Sequence, residues 1–477
     1  MNRLAYALAS FGCALFFVPG LAGADDAANA PRPVPLTRPE MKGMLEDMKG
    51  RTPRIPLPEL TAEEKAKEAA DPRAFGYEGR LRSLYLPDGD MRVSLNFSGS
   101  PRGGFGSGNN RVQVEQDPAL TLDYKFKTQL FWIASRANNC QYCLGHQESK
   151  LLSAGMLEDE IAALDADWSN FKPAEQAAFA LARRLTLEPH LLSDADIDRC
   201  REFYTGPQII EMVMSVAGNN SINRWKEGTG VPQSANGGNF GRGQQAAQTS
   251  ESHGYLTPTS DKFQKAKTVV APVVLTDLAN SSYGATVCDR PALEPMSEVL
   301  TRLEAARQRE PRLPLVDEDK AREILGESAP EGAIPQWMRL LANFPIAGQR
   351  TVASIRSSED KGDLSPLLKA QMSWVVARQD RAWYAMGDAY GRLKSLGQTD
   401  EQIAALDGDQ QTLEAKDQAL LTFAKNLAAS PVVLTDEQAA EAVKLAGPRD
   451  VVQTITYTTF RAAFDRFTEA AGLTVDK

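Results

Sequence analysis

Cysteine and histidine are scarce in this chain, with five and three respectively among 477 residues. That excludes a disulfide-stapled scaffold, which crowds many cysteines into a short secreted chain. Basic residues are in the minority too, with 53 Lys and Arg against 62 Asp and Glu and a net charge of -9. Nothing in that balance supports nucleic-acid binding, which shows as a basic patch or stripe. Beyond residue 24 no apolar run approaches the roughly 20 residues of a spanning helix, so no stable membrane insertion is expected. What is present is an ordinary globular composition, 42% hydrophobic and 24% charged. The length is too great for one typical domain and suits two of roughly 150 to 200 residues.

The start reads Met1-Asn2-Arg3, then an apolar run from Leu4 to Ala24 interrupted by Pro19 and Gly20, closing on Ala22-Gly23-Ala24. A basic start, an apolar core and a small-residue triplet describe a signal peptide over 1–24, and so an exported protein, periplasmic or secreted. An uncleaved membrane anchor is the alternative reading of the same run. Ser10-Phe11-Gly12 before Cys13 matches a lipoprotein cleavage box poorly. Removal of the peptide leaves Cys140, Cys143, Cys200 and Cys288.

Residues 25–35 are rich in Ala and Pro and read as a tether. The chain then appears twice. Arg32-Pro33 recurs as Arg290-Pro291, Leu45-Glu46 as Leu303-Glu304, and Pro53-Arg54-Ile55-Pro56-Leu57 as Pro311-Arg312-Leu313-Pro314-Leu315, all at an offset of 258. Farther on the offset is 242: Ile161-Ala162-Ala163-Leu164-Asp165 returns as Ile403-Ala404-Ala405-Leu406-Asp407, and Leu192-Ser193-Asp194 as Leu434-Thr435-Asp436. One insertion of 16 residues in the first copy, placed at the glycine-dense stretch Ser98 to Asn110, accounts for the change. The expected layout is a domain over 36–232, a polar connector over 233–288 and a second domain over 289–477.

Within each copy the apolar period is helical, as at Leu130, Ile133, Ala134 and Ala137, and at Ala177, Ala180, Leu181 and Leu185. Asp159, Asp194, Thr399 and Thr435 supply helix starts. Alternating strand patterns are rare, so the expected fold class is all-α, two tandem helical domains packed as a pseudo-dimer.

Chemistry is concentrated in Asn138-Asn139-Cys140-Gln141-Tyr142-Cys143-Leu144-Gly145-His146-Gln147-Glu148. With a helix beginning near Asn138 or Asn139, Cys140 falls in the first turn and Cys143 one turn on. Thiols at i and i+3 share a face and can close a disulfide, and a helix N-terminus favours a thiolate. His146 lies one further turn along, close enough to Cys143 to exchange a proton, and Glu148 is a candidate to hold that imidazole. Redox catalysis has three competitors. A c-type haem site needs His directly after the second Cys, where Leu144 stands. Zinc needs a fourth ligand beside Cys140, Cys143 and His146, with Cys200, His190 or Glu148 as the choices. A disulfide without turnover is the third.

The second copy acts as an internal control. At offset 242, Cys140, Cys143 and His146 become Ala382, Ala385 and Asp388, while Trp132, Arg136, Tyr142 and Gly145 persist as Trp374, Arg378, Tyr384 and Gly387. The reactive residues are lost as a set and the scaffold around them is kept. Elsewhere, His190 after Pro189 reads as a surface or capping residue, His253 as a solvated connector residue, and Cys200 as a buried apolar thiol, with a Cys200–Cys288 pair as an alternative.

These residues, with the Pro53-Arg54-Ile55-Pro56-Leu57 lead and the closing Asn223-Arg224-Trp225 and Gly230, resemble the carboxymuconolactone decarboxylase and alkyl hydroperoxidase D-like family. The resemblance implies an all-helical fold, homo-oligomers, and in the peroxidase branch no cofactor but a Cys pair relayed by His and an upstream Glu. Carried over, Cys143 is the peroxidatic thiol, Cys140 its resolving partner, His146 the relay base, and Glu148 the acidic residue after it. The implied partners are a hydroperoxide substrate and a thiol reductant. The family's upstream Glu falls at Thr128 and its usual His at Gln147. A decarboxylase-type enzyme and a non-catalytic scaffold are the other readings, the former disfavoured by the Cys pair.

Overall fold

Helix starts in this sequence are carried by local capping chemistry. Thr399 and Thr435 each accept the backbone N–H three residues on, and Gln402 and Gln438 bond back to the cap. A computed structural model describes residues 30–70, 76–86, 97, 117–233 and 292–475, apart from positions 33, 36, 37, 167, 409 and 411. The expected signal peptide, most of the tether, the insertion at 98–110 and all but the first residue of the connector lie outside the described residues, and with them Cys288 and His253.

The N-terminal half contributes α1 (Arg38–Asp47), α2 (Ala62–Ala70), α3 (Tyr77–Tyr85), α4 (Tyr124–Ala137), α5 (Gln141–Ser153), α6 (Glu158–Ala166), α7 (Pro173–Leu187), α8 (Asp194–Arg201) and α9 (Gly206–Thr229). The C-terminal half contributes α10 (Met296–Ala306), α11 (Glu318–Leu325), α12 (Gln336–Leu341), α13 (Ala347–Asp360), α14 (Pro366–Asp380), α15 (Trp383–Ser395), α16 (Asp400–Ala405), α17 (Ala415–Ala428) and α18 (Asp436–Ala470). No strand occurs among the described residues, and the fold is all-α, as the apolar period requires. None of these helices is long and apolar enough to cross a membrane.

α9 and the part of α18 from Val451 onward are the central helices, buried on nearly every side, and α9 packs against α18. Around α9 lie α4, α5 and α7; around α18 lie α14, α15 and α17. α18 is broken in its course at Gly447, whose φ of 80° only glycine adopts without strain, directly before Pro448. At offset 242 that position is Thr205, the cap of α9.

Contacts between the halves come in reciprocal pairs. The Arg224 guanidinium donates to the Ala428 carbonyl at 2.7 Å, and Arg466 donates to the Thr186 carbonyl at 3.0 Å; the two donors stand 242 positions apart in the sequence, and so do the two acceptors. Arg54 reaches Asp436 at 2.6 Å while Arg312 reaches Asp194 at 2.7 Å. The two Arg residues also donate their backbone N–H groups to the matching carbonyls of Thr229 and Ala471.

Candidate functional site

The helix carrying the thiols does not begin at Asn138 or Asn139 as the cap residues suggested. Asn138 instead closes α4, and Asn139 turns the chain at a φ of 55°, a left-handed conformation that Asn tolerates better than most residues. Cys140 is therefore the residue capping α5, with extended backbone, and Cys143 lies in the first turn. Both sulfurs are buried and unbonded, Cys140 fully and Cys143 to 2% exposure. They share a small apolar cluster with Met48, Phe131, Tyr142 and Val231.

His146 is half-buried one turn beyond Cys143, its ring stacked on Tyr142 with centroids 4.3 Å apart. Its Nδ1 lies 3.0 Å from the Tyr142 carbonyl; a carbonyl only accepts, so Nδ1 bears the proton and Nε2 keeps its lone pair. Burial first, then Lys226, pushes the imidazole pKa down to about 3, so the ring is neutral at physiological pH. Glu148 faces another way. Its carboxylate is held by Arg38 at 3.3 Å and by Lys42, both on α1, and these cations outweigh burial and keep it ionised. Residues two apart on a helix do not face each other, which is why His146 and Glu148 diverge.

Two cations approach Cys143. Lys226 is raised against the cost of burial by Glu78 first, with Tyr142 and Cys143 contributing, whereas burial lowers the Lys150 pKa and Cys143 offsets this only in part. Both would balance negative charge on that sulfur. Cys140 sits in the opposite field: burial, then the Cys143 side chain and Glu227, raise its pKa well above the usual thiol value.

Glu227 on α9 is the residue that sequence reading missed. Its Oε2 accepts from Arg51 at 3.4 Å, its Oε1 takes no hydrogen bond among the described residues, and the carboxylate interacts with the Cys140 thiol. Burial would raise its pKa, but Arg51, Arg32, Arg54 and that thiol contact together hold it below the usual carboxylate range. The one signal for it in the sequence was its persistence as Glu469 at offset 242. Thr128, where the resemblance calls for Glu, spends its hydroxyl on the Tyr124 carbonyl of its own helix at 2.8 Å.

Other singled-out residues lie apart from the thiols. Cys200 is a free, buried thiol on α8, pushed up to about 12 mainly by burial; His190 sits in a short turn of 3-10 helix after α7. Among the described residues no three His, Cys, Asp or Glu side chains converge as metal ligands would.

No curated protein matches the chain. The model of the carboxymuconolactone decarboxylase family matches residues 129–184, a stretch that runs from the middle of α4 through the Cys pair to most of α7. Over those helices, including both thiols, His146 and Glu148, the chain is similar to the carboxymuconolactone decarboxylase family.

Proposed function

We propose that this protein is a thiol-dependent oxidoreductase of the alkyl hydroperoxidase D type, in which Cys143 reduces a hydroperoxide and Cys140 resolves the product. The observation that carries the reading is a pair of free, buried thiols at the start of α5, one turn before His146. Cys143 lies in the first turn of α5 with Lys226 and Lys150 disposed to balance its charge, whereas Cys140 is kept as a thiol by burial. A thiolate attacks the peroxide oxygen, the O–O bond breaks, the alkoxide leaves and takes a proton, and Cys143 becomes a sulfenic acid. Cys140 then displaces that oxygen as water and closes the disulfide, which a dithiol partner must reduce. The ring of His146, neutral and one turn beyond Cys143, is the relay group of this reading.

The same reading treats the halves as tandem copies forming a pseudo-dimer, the second lacking the thiols. The reciprocal Arg224–Ala428 and Arg466–Thr186 bonds support it, since a two-fold interface pairs residue i with j and j with i. Export, which the first 24 residues suggest, would require the reductant to lie outside the cytoplasm.

The test is stopped-flow oxidation of the reduced protein by an alkyl hydroperoxide, with thiols counted afterwards. Wild type should lose two thiols per chain and Cys143→Ser none. Equal rates in the two proteins, or no thiol loss in wild type, would remove the peroxidase reading.

A further inference from the structure

The two halves use one conserved carboxylate in two ways. In the C-terminal half Glu469 is fully engaged: Arg309 donates to Oε1 at 2.7 Å and to Oε2 at 3.3 Å, and the Trp383 backbone N–H donates to Oε2 at 2.9 Å. Trp383 opens α15, so Glu469 caps that helix and neutralises its N-terminal dipole. The capping position itself is Ala382, which offers nothing.

In the N-terminal half the same position is Glu227, and the helix cap is Cys140. Arg51 takes the place of Arg309 but reaches only Oε2, at 3.4 Å. Oε1 is left without a hydrogen bond although the side chain is 4% exposed. A buried ionised oxygen without a donor costs on the order of 1–3 kcal/mol or more, so the arrangement is poor as structure. It is useful as chemistry, because the carboxylate interacts with the Cys140 thiol, which burial keeps from ionising alone.

We infer that Glu227 is the base for Cys140, receiving the thiol proton as Cys140 attacks the oxidised Cys143. The inference rests on the thiol-oxidoreductase reading above. In the step, Cys140 Sγ forms a bond to Cys143 Sγ and the S–O bond of the sulfenic acid breaks. The Cys140 proton passes to Glu227, and hydroxide leaves and is protonated to water by Glu227 or solvent. Attack on a mixed disulfide follows the same course with a thiolate as leaving group. The carboxylate is supplied from α9, far along the chain from the thiols, and Arg54 fixes it: this side chain donates to the Glu227 carbonyl at 2.8 Å while also binding Asp436 and the Leu434 carbonyl of the other half.

Glu227→Gln keeps the shape and removes the base. Reduced protein is oxidised either by cumene hydroperoxide, with sulfenic acid trapped by dimedone, or by glutathione disulfide, with disulfide closure followed in both by acid quench and mass spectrometry. Glu227→Gln should close the Cys140–Cys143 bond at least tenfold more slowly in both arms and accumulate dimedone adduct or mixed disulfide at Cys143. Glu227→Asp should recover part of the rate. Glu469→Gln, which disturbs the matching position without a thiol, should close at the wild-type rate and reports any loss due to folding alone. Closure by Glu227→Gln at the wild-type rate, or equal slowing in Glu469→Gln, would overturn the inference. If wild type ignores the peroxide yet closes on glutathione disulfide, with Glu227→Gln slow, the peroxidase reading falls and the role of Glu227 stands.

Discussion

At Cys140 and at Ala382 the backbone takes the same path. A residue with positive φ, Asn139 or Arg381, precedes an extended cap whose N–H bonds five residues back, to Ser135 or Ala377. The tryptophan one turn earlier donates to an aspartate in each, Trp132 to Asp165 at 2.7 Å and Trp374 to Asp407 at 3.0 Å. What differs is the filling. In the N-terminal half, Glu227 Oε1 and both polar atoms of the Asn219 side chain have no hydrogen bond among the described residues. At the matching place in the other half, Arg461 replaces Asn219 and binds Asp388 at 2.9 Å, while Tyr457 donates to Glu359 at 2.8 Å. The same backbone path thus carries two different sets of partners: the Glu227 carboxylate keeps an unused oxygen beside the thiols, while Glu469 is bonded through both of its oxygens.

The interface offers the sharpest way to break this comparison. Arg466 is fully buried on Asp380 at 2.6 Å, whereas Arg224 meets the neutral Asn138 at 3.4 Å. Arg466→Met strands a buried carboxylate and should cost about 3–5 kcal/mol; Arg224→Met strands only carbonyls, two side-chain amides and a hydroxyl and should cost about 1–3 kcal/mol. Urea unfolding of the two variants side by side measures the difference, and equal losses would mean that the halves are not as distinct as their charges suggest.

Restoring thiols alone should not restore a site. With Cys140 and Cys143 changed to Ser, the double substitution Ala382→Cys and Ala385→Cys should give a pair oxidised by cumene hydroperoxide at least about tenfold more slowly than the native one, a deficit of about 1.4 kcal/mol. Thr468 stands where Lys226 does, and Glu469 is committed to Arg309 and α15. A transplanted pair as fast as the native one would place the reactivity in the helix start itself.

The smallest effect concerns Asp465, the counterpart of Asn223. Asn223 donates to Ser135 at 3.0 Å and accepts from Asn138 at 2.9 Å; those partners have become Ala377 and Asp380, and both Asp465 oxygens are buried without a hydrogen bond among the described residues. Burial, then Asp380, raises its pKa well above the ordinary value. A carboxyl with a raised folded pKa contributes fully below its unfolded value of about 4 and loses that contribution as pH rises. Asp465→Asn should therefore stabilise by about 1 kcal/mol at pH 8 and less at pH 5, read as a shift in the urea midpoint; a pH-independent difference would contradict the assignment.

Much of this was legible in the residues. The all-α class followed from the apolar period, the helix starts at Thr399 and Thr435 from their capping boxes, and the scaffold of Trp132 and Asp165 from its recurrence as Trp374 and Asp407. What escaped reading depended on contacts far apart in sequence. Glu227 meets Arg51 across 176 positions, and Glu148 turns from His146 toward Arg38, 110 positions away. The cap was misplaced because Asn138 and Asn139 suit either end of a helix, and only the geometry of the turn decides which.

The pairing of α9 with α18 inside one polypeptide also has a bearing on inheritance. Between two identical subunits any replacement appears twice across the axis, so a change that suits one side must suit the other. Here Asn138 and Asp380, or Glu227 and Glu469, can vary one at a time. On the reading proposed above, a single chain can thus let one half specialise in reactivity and the other in rigidity, a division of labour closed to a symmetric homodimer.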